Sequence, residues 1–168
     1  PRRSPVDGAN GNDMRSAIVP IFGLVVLACA QNAHAAAAAP TKNAGNSTLT
    51  ALGNGTAVAL PLLAGAVALY KEDWVGVAQL ATEGFLTVGT AYALKNVVRE
   101  RRPDGSDYQS FPSGTTAVAA SSSSFLWGRY GWEFGLPAFL ATQFVSYTRI
   151  QAKQHHWYDT LASSAIAA

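Results

Sequence analysis

The residues best suited to chemistry lie in three short clusters in the second half of the chain. The first cluster, residues 95–103, reads KNVVRERRP. If this stretch is helical, Lys95 and Arg102 are seven positions apart, about 20° short of two full turns, so we expect both cations on one face. Pro103 would then end the helix and leave Arg102 beside a loop. Such a pair suits an anion, although basic residues at a helix end can also simply complement the helix dipole.

The second cluster, residues 110–116, reads SFPSGTT and precedes a predicted helix. Here Ser113 supplies a hydroxyl, Gly114 supplies a flexible backbone, and the helix start supplies free amide groups. Such an arrangement binds anions well. The alternative is an ordinary N-cap, in which the Ser113 hydroxyl only closes the first helical turn.

The third cluster, residues 148–159, reads TRIQAKQHHWYD. His155 and Asp159 are four positions apart, so on a helix the carboxylate can reach the imidazole and fix its tautomer. Arg149 lies six residues before His155, near the predicted end of the preceding helix. An aromatic-flanked histidine pair can also be purely structural, so this cluster alone does not establish a catalytic site.

In chain order, the first cluster contains a Lys, six residues and then Arg-Pro. The second contains Pro-Ser-Gly at a helix start. The third contains an Arg, five residues, a His, three residues and an Asp. This set resembles the signature of the type 2 phosphatidic acid phosphatase superfamily, which includes bacterial acid phosphatases, lipid phosphate phosphatases and vanadium haloperoxidases. The resemblance runs from about Trp74 to the end of the chain. It implies an all-α helical bundle and a phosphatase that uses neither a metal nor another cofactor.

The resemblance also implies a role for each matched residue. His155 would be the nucleophile that forms a phosphohistidine, because it alone, and not His156, satisfies both spacings. Asp159 would orient its ring and stabilise the cationic form. The phosphate oxygens would be bound by Lys95, Arg102, Arg149, Ser113 and Gly114.

The chain departs from the family pattern at two positions. Thr148 replaces a serine, which keeps a hydroxyl. Thr115 replaces the histidine that serves as general acid for the leaving oxygen, and losing a general acid typically costs ~10²–10⁴ in rate. Three explanations stay open: an engineered change, a natural enzyme with a good leaving group such as a diphosphate, or a degenerate homologue that only binds phosphate. His156 is a weak substitute, because neighbouring helical residues point about 100° apart.

Two functions are therefore compared. The leading hypothesis is a metal-independent phosphatase acting on a phosphomonoester or diphosphate, carried by a small molecule or a lipid. The alternative is a catalytically weakened protein that binds phosphate or lipid phosphate. A haloperoxidase is disfavoured, since that class uses the histidine that Thr115 replaces.

Helical patterns surround these clusters and must position them. Residues 51–70, 74–98, 115–127 and 134–149 read as helices, and a fifth begins near Gln154 and is expected to be truncated at residue 168. Alternating strand patterns are absent, which predicts an all-α bundle over residues 51–168. Residues 51–70 are long enough to span a membrane, whereas Glu83 within the next helix would be costly in lipid.

The N-terminal segment is predicted to lie outside the fold. Residues 1–13 are polar and read as a leader or added sequence. Residues 14–35 have the layout of a signal peptide with cleavage after Ala35, with lipidation at Cys29 or an uncleaved anchor as alternatives. Residues 36–50 read as a linker. We therefore expect an exported protein, periplasmic or associated with the envelope membrane.

Composition excludes several other classes of function. Twelve Lys and Arg against ten Asp and Glu give a net charge of +2, too weak to indicate a nucleic-acid partner. A single cysteine excludes an internal disulfide framework and a cysteine-based zinc site. Three histidines exclude a large histidine metal cluster.

Overall fold

The computed structural model describes residues 44–168, which form five α-helices. These are α1 (Ala44–Tyr70), α2 (Trp74–Val98), α3 (Gly114–Tyr130), α4 (Trp132–Gln151) and α5 (Trp157–Ile166). No strand occurs in this part of the chain, so the prediction of an all-α helical bundle is confirmed. The predicted leader, the predicted signal peptide with Cys29 and Ala35, and residues 36–43 of the predicted linker lie outside the described residues.

Local signals set most of the helix ends. Asp73 caps α2 by accepting a hydrogen bond from the Gly76 amide at 2.8 Å, and Gly131 separates α3 from α4 with a φ of 87° that glycine adopts without strain. The first helix differs from expectation, because α1 begins at Ala44 and residues 44–50 form its first turns rather than a linker. The last helix begins at Trp157 instead of near Gln154. That α5 is truncated stays a prediction.

Helix α3 is the centre of the bundle and packs against all four other helices. Its buried positions are mostly small, which lets the neighbouring backbones approach closely. The buried hydroxyls of Ser121 and Ser122 donate to the carbonyl of Val118 in the same helix, so their polarity is satisfied within α3. The larger buried side chains, Phe125 and Leu126, join a core shared with α1, α2 and α4.

Helix α4 has an unusual distribution of side chains, with small and polar residues inside and large apolar residues outside. The buried face comprises Gly135, Ala138, Thr142, Val145, Ser146, Thr148 and Arg149. The exposed face carries large apolar side chains at helical spacing: Trp132, Leu136, Phe139, Leu140, Phe144, Tyr147 and Ile150. A protein surrounded by water rarely exposes so continuous an apolar stripe.

One helical stretch, Ser47–Tyr70, is long and apolar enough to cross a membrane by length and composition. Less than half of its most apolar window is buried inside the bundle, 44%. The core helix of a soluble protein can have the same length and composition.

A polar cluster joins the beginning of α2 to the end of α3. Both oxygens of Asp73 accept hydrogen bonds from the Arg129 guanidinium, at 2.5 and 2.6 Å. The hydroxyl of Tyr130 also donates to Asp73, at 2.9 Å. These contacts, together with the α2 cap, keep the pKa of the Asp73 carboxyl well below its usual range, the Arg129 hydrogen bond being the largest cause.

Candidate active site

The three sequence clusters meet at one end of the bundle, where a loop of residues 99–113 joins α2 to α3. Lys95 near the end of α2 donates to the Gln109 carbonyl at 2.7 Å. The amide of Ser113 donates to the Asp159 carbonyl at 3.3 Å, and the amide of Asp104 donates to the Lys153 carbonyl at 3.0 Å. These contacts hold the loop against both the start of α5 and the turn that precedes it.

Arg102 lies in this loop and not on α2, so the prediction that Lys95 and Arg102 share a helix face is wrong. The helix ends at Val98 because Arg99 adopts the left-handed conformation, with a φ of 46°. The Nε of Arg102 donates to Asp107 Oδ1 at 2.8 Å, and its amide donates to the Asp107 carbonyl at 3.0 Å. The loop, and not the helix, thus orients Arg102.

Arg102 nevertheless lies close enough to Lys95 and to Arg149 for its charge to act on both. Burial and the charge of Arg102 lower the pKa of Lys95 to about 8. Burial and the same charge lower the pKa of Arg149 to about 10. Like charges placed together out of water are unfavourable, so this arrangement is typical of a site that receives an anion.

Arg149 is fully buried at the end of α4, with 0% of its surface exposed. Its guanidinium donates to Gln154 Oε1 at 2.9 Å, to the Thr50 carbonyl at 2.8 Å and more weakly to Thr148 Oγ1 at 3.4 Å. All of these acceptors are neutral, and within residues 44–168 Arg149 forms no ion pair. A buried cation without a counter-ion is costly, which again indicates an anionic ligand.

The second cluster forms the start of α3, as predicted. Ser113 is the N-cap residue, and its buried hydroxyl accepts a 3.4 Å hydrogen bond from the Thr116 amide. The structure therefore shows the capping role of Ser113, and its role in phosphate binding stays a prediction. Gly114 lies beside Lys95, since a Cβ at this glycine would be 3.8 Å from Lys95 Cε. Thr115 is half-buried in the first turn of the same helix.

His155 lies in the turn before α5, so the expectation that His155 and Asp159 share one helix is wrong. The turn still brings His155 Nδ1 to 3.7 Å from Asp159 Oδ2. A shorter contact, 2.6 Å, joins the same nitrogen to the Ser110 carbonyl. Because a carbonyl oxygen only accepts hydrogen bonds, Nδ1 carries the proton in this contact and Nε2 is left with its lone pair.

Charge and burial act on both members of this pair. Burial, followed by the charges of Lys95 and Arg102, lowers the pKa of His155 despite opposing contacts with Asp159 and Ser110. Burial raises the pKa of Asp159, but contacts with His155 and hydrogen bonds from Ser110 and the His156 amide outweigh it and lower that pKa to about 2. Near neutral pH the pair is therefore a neutral imidazole beside a carboxylate.

His156, the other histidine of the pair, is the N-cap residue of α5. Its ring stacks on Tyr158 with centroids 4.9 Å apart, and its Nδ1 lies 4.0 Å from Glu100 Oε1 and 3.4 Å from Asp159 Oδ2. Glu100 also accepts a hydrogen bond from the Tyr158 hydroxyl.

Glu100, His156 and Asp159 each offer a ligand atom within 4.8 Å of the others, the spacing of a metal site. Both carboxylates already accept hydrogen bonds from protein donors: Glu100 from Tyr158, and Asp159 from Ser110 and the His156 amide. We therefore describe this cluster as a hydrogen-bonded network and assign no ion to it.

Sequence reasoning missed several residues that contact the predicted site, including Asp107, which binds Arg102, and the three residues that follow. Ser110 opens the second cluster, and its place in that motif was a usable signal. Gln154 precedes His155, but nothing about a glutamine at that position indicated that it would bind Arg149. Thr50 lies 99 residues from Arg149, and no sequence pattern links the two.

Comparison with known proteins gives one distant relative. The chain is 29% identical over 119 residues to the lipid A 4'-phosphatase of Helicobacter pylori (strain J99 / ATCC 700824). The match covers 64% of this chain and 60% of the relative, so the chain spans less than two thirds of that protein. No protein family model matches the chain. No solved structure matches it either.

Proposed function

We propose that this protein is a phosphatase that hydrolyses a lipid-borne phosphomonoester or diphosphate through a phosphohistidine on His155. One observation carries the proposal: the charges of Lys95 and Arg102 act on the His155 imidazole, whose Nε2 has a lone pair, and the charge of Arg102 also acts on the buried Arg149, which forms no ion pair within residues 44–168. The distant similarity to a lipid A 4'-phosphatase supports a lipid phosphate as the substrate class.

The proposed reaction has two displacement steps. His155 Nε2 attacks phosphorus, so that an N–P bond forms while the P–O bond to the leaving group breaks. Water then attacks phosphorus, the N–P bond breaks, and inorganic phosphate and the free imidazole are regenerated. The three cations would stabilise charge on the phosphoryl oxygens in both transition states, so the mechanism requires no metal.

Thr115 is the feature that decides which substrates can react. A threonine hydroxyl does not titrate near neutral pH, so it cannot protonate an alkoxide leaving group. A diphosphate substrate needs little protonation, because its leaving group is a phosphate that is stable as an anion. We therefore propose a diphosphate as the better substrate. The second candidate, a phosphate-binding protein with little turnover, is favoured by the same residue.

A substrate panel with two variants tests both candidates. Inorganic phosphate release from diphosphates and from monoesters is measured for the wild type, Thr115→His and the control Thr115→Asn, which does not titrate. We expect Thr115→His alone to increase monoester turnover, by ~10²-fold or more. No turnover in any protein, combined with phosphate binding by calorimetry, would support the binding protein. Absence of phosphate binding would contradict both candidates.

We also propose that the protein is exported and associates with the envelope membrane. The supporting features are the apolar outer stripe of α4 (Trp132 to Ile150), the apolar length of Ser47–Tyr70 and the signal-like pattern of residues 14–35. Lipid tails would cover the α4 stripe without the cost of exposing it to water. Membrane fractionation with alkaline washing tests this proposal, and release into the soluble fraction would contradict it.

A further inference from the structure

We infer that Ser110 is a positioning residue of this site, whose carbonyl holds His155 and whose hydroxyl holds Asp159. The inference rests on the proposed function. Ser110 is fully buried, with 0% exposure, in the loop between α2 and α3. Its carbonyl accepts from His155 Nδ1 at 2.6 Å, while its hydroxyl donates to Asp159 Oδ2 at 2.5 Å. One residue therefore bridges the nucleophile and the carboxylate.

The backbone around Ser110 is held from both sides. Its amide donates to the Glu100 carbonyl at 2.9 Å, which closes the loop at its base. Three residues later, the Ser113 amide donates to the Asp159 carbonyl at 3.3 Å as α3 begins. Ser110 is thus held against the start of α5, where its hydroxyl also lies 3.4 Å from His156 Nδ1.

The family resemblance implies that Asp159 orients the His155 ring, whereas in this arrangement Ser110 orients it. The 3.7 Å separation of Asp159 Oδ2 from His155 Nδ1 is longer than a hydrogen bond, whereas the Ser110 carbonyl is within bonding distance of Nδ1. The Ser110 carbonyl therefore sets the tautomer and the ring orientation. Asp159 supplies negative charge to the imidazole as it becomes cationic, and the Ser110 hydroxyl keeps that carboxylate in place and ionised.

The pKa of the Asp159 carboxyl can be measured to test whether the Ser110 hydroxyl binds this carboxylate. The titratable groups that face it or its contacts are His155, His156, Lys95, Tyr158 and Glu100. The Ser110 hydroxyl is one of the donors that lower the pKa of Asp159 to about 2, and the contacts from His155 and the His156 amide remain when it is removed. Loss of the hydroxyl should therefore raise that pKa.

The test compares Ser110→Ala with Ser163→Ala. Ser163 is an equally buried serine, and its hydroxyl donates at 2.7 Å to the backbone carbonyl of Asp159 rather than to the carboxylate. Carbon-13 NMR of the Asp159 carboxyl, without substrate, should show a titration midpoint raised by about one unit in Ser110→Ala and unchanged in Ser163→Ala. If Ser110→Ala does not fold, Ser110→Cys keeps the side-chain size with a weaker donor and should shift the midpoint in the same direction.

The second part of the test measures steady-state kinetics with the substrate that the wild type hydrolyses best among the diphosphates and monoesters of the panel. Ser110→Ala should lower kcat about tenfold with KM nearly unchanged, and move the acid limb of the kcat profile to higher pH. Ser163→Ala should behave like the wild type. An unshifted Asp159 titration in the Ser110 variants, or an equal shift in Ser163→Ala, would overturn the inference. A shifted titration in a protein that hydrolyses nothing would support Ser110 as the holder of Asp159 and contradict the proposed function.

Discussion

Gly53 on α1 lies directly against the guanidinium of Arg149 on α4: a Cβ at Gly53 would be 2.7 Å from Arg149 Nη2. The same Nη2 donates to the carbonyl of Thr50, one turn earlier on α1. The first helix therefore forms the wall against which the most buried cation of the site rests. Its close approach requires the absence of a side chain at residue 53.

This contact predicts that Gly53→Ala lowers phosphate affinity, by about tenfold, because the new methyl group would clash with Thr148 Oγ1 and with the Arg149 guanidinium and would displace both side chains. Gly55 is a matched control on the same helix, since a Cβ there meets nothing within 4 Å. Gly55→Ala should leave affinity unchanged and raise the free energy of unfolding by up to about 1 kcal/mol. Calorimetry with inorganic phosphate and thermal unfolding measure the two effects. Wild-type affinity in Gly53→Ala would contradict the placement of Arg149 in the phosphate site.

His155→Ala should abolish turnover while leaving phosphate affinity largely intact, because the lost imidazole is the proposed nucleophile and the cations remain. His156→Ala is the control. Its ring stacks on Tyr158 and contacts the network around Asp159, so this variant should retain a rate far above that of His155→Ala. Phosphate release under saturating substrate gives the comparison. Activity retained in His155→Ala would refute the nucleophile assignment.

Lys95 should make anion binding depend on pH. Its pKa of about 8 in the free protein means that the ammonium loses its proton as the pH rises through that value. Affinity for sulfate, whose own charge is constant over this range, should therefore be full below pH 8 and decline above it. Lys95→Arg keeps its charge and should move this decline to higher pH. Lys95→Met should bind weakly at every pH, and a wild-type decline that persists in Lys95→Met would argue against this assignment.

Asp73 should contribute stability that depends on pH. Its folded-state pKa lies below the unfolded value near 4, so its contribution is complete above that pH and is lost progressively as the pH falls below it. At neutral pH, Asp73→Asn should lower the free energy of unfolding measurably through the weakened Arg129 contact. The difference from the wild type should shrink in acid. Glu133→Gln, which removes an exposed carboxylate, should show little change at either pH.

Helix positions could be predicted because their signals are local. Asp73 and Ser113 each cap the helix that follows them, and Gly131 allows the sharp break between α3 and α4. The helix ends that the sequence analysis placed wrongly also involve only a few residues, but they arise from packing. Arg99 turns left-handed and ends α2 before Arg102, and the turn at residues 152–156 delays α5 until Trp157. No strong breaker in the sequence marks either point.

The site was predictable as a set of residue types and only partly as a geometry. The spacing of Lys95, Arg102, Arg149 and His155 indicated a common anion site, and the charge of Arg102 lowers the pKa values of the other three groups. The orientation of each group came from other parts of the chain: Asp107 holds Arg102, Gln154 and Thr50 hold Arg149, and Ser110 holds His155.

The amino-acid sequence alone therefore determined the helical class, the approximate helix bounds and the residues proposed to contact a phosphate, because periodicity, caps and motif spacing are properties of neighbouring residues. The tertiary structure alone decided that Ser110 bridges His155 and Asp159 and that α1 supports Arg149. These contacts join residues 45 to 99 positions apart. They depend on how closely the helices pack around α3, and close packing is a collective property that no single segment encodes.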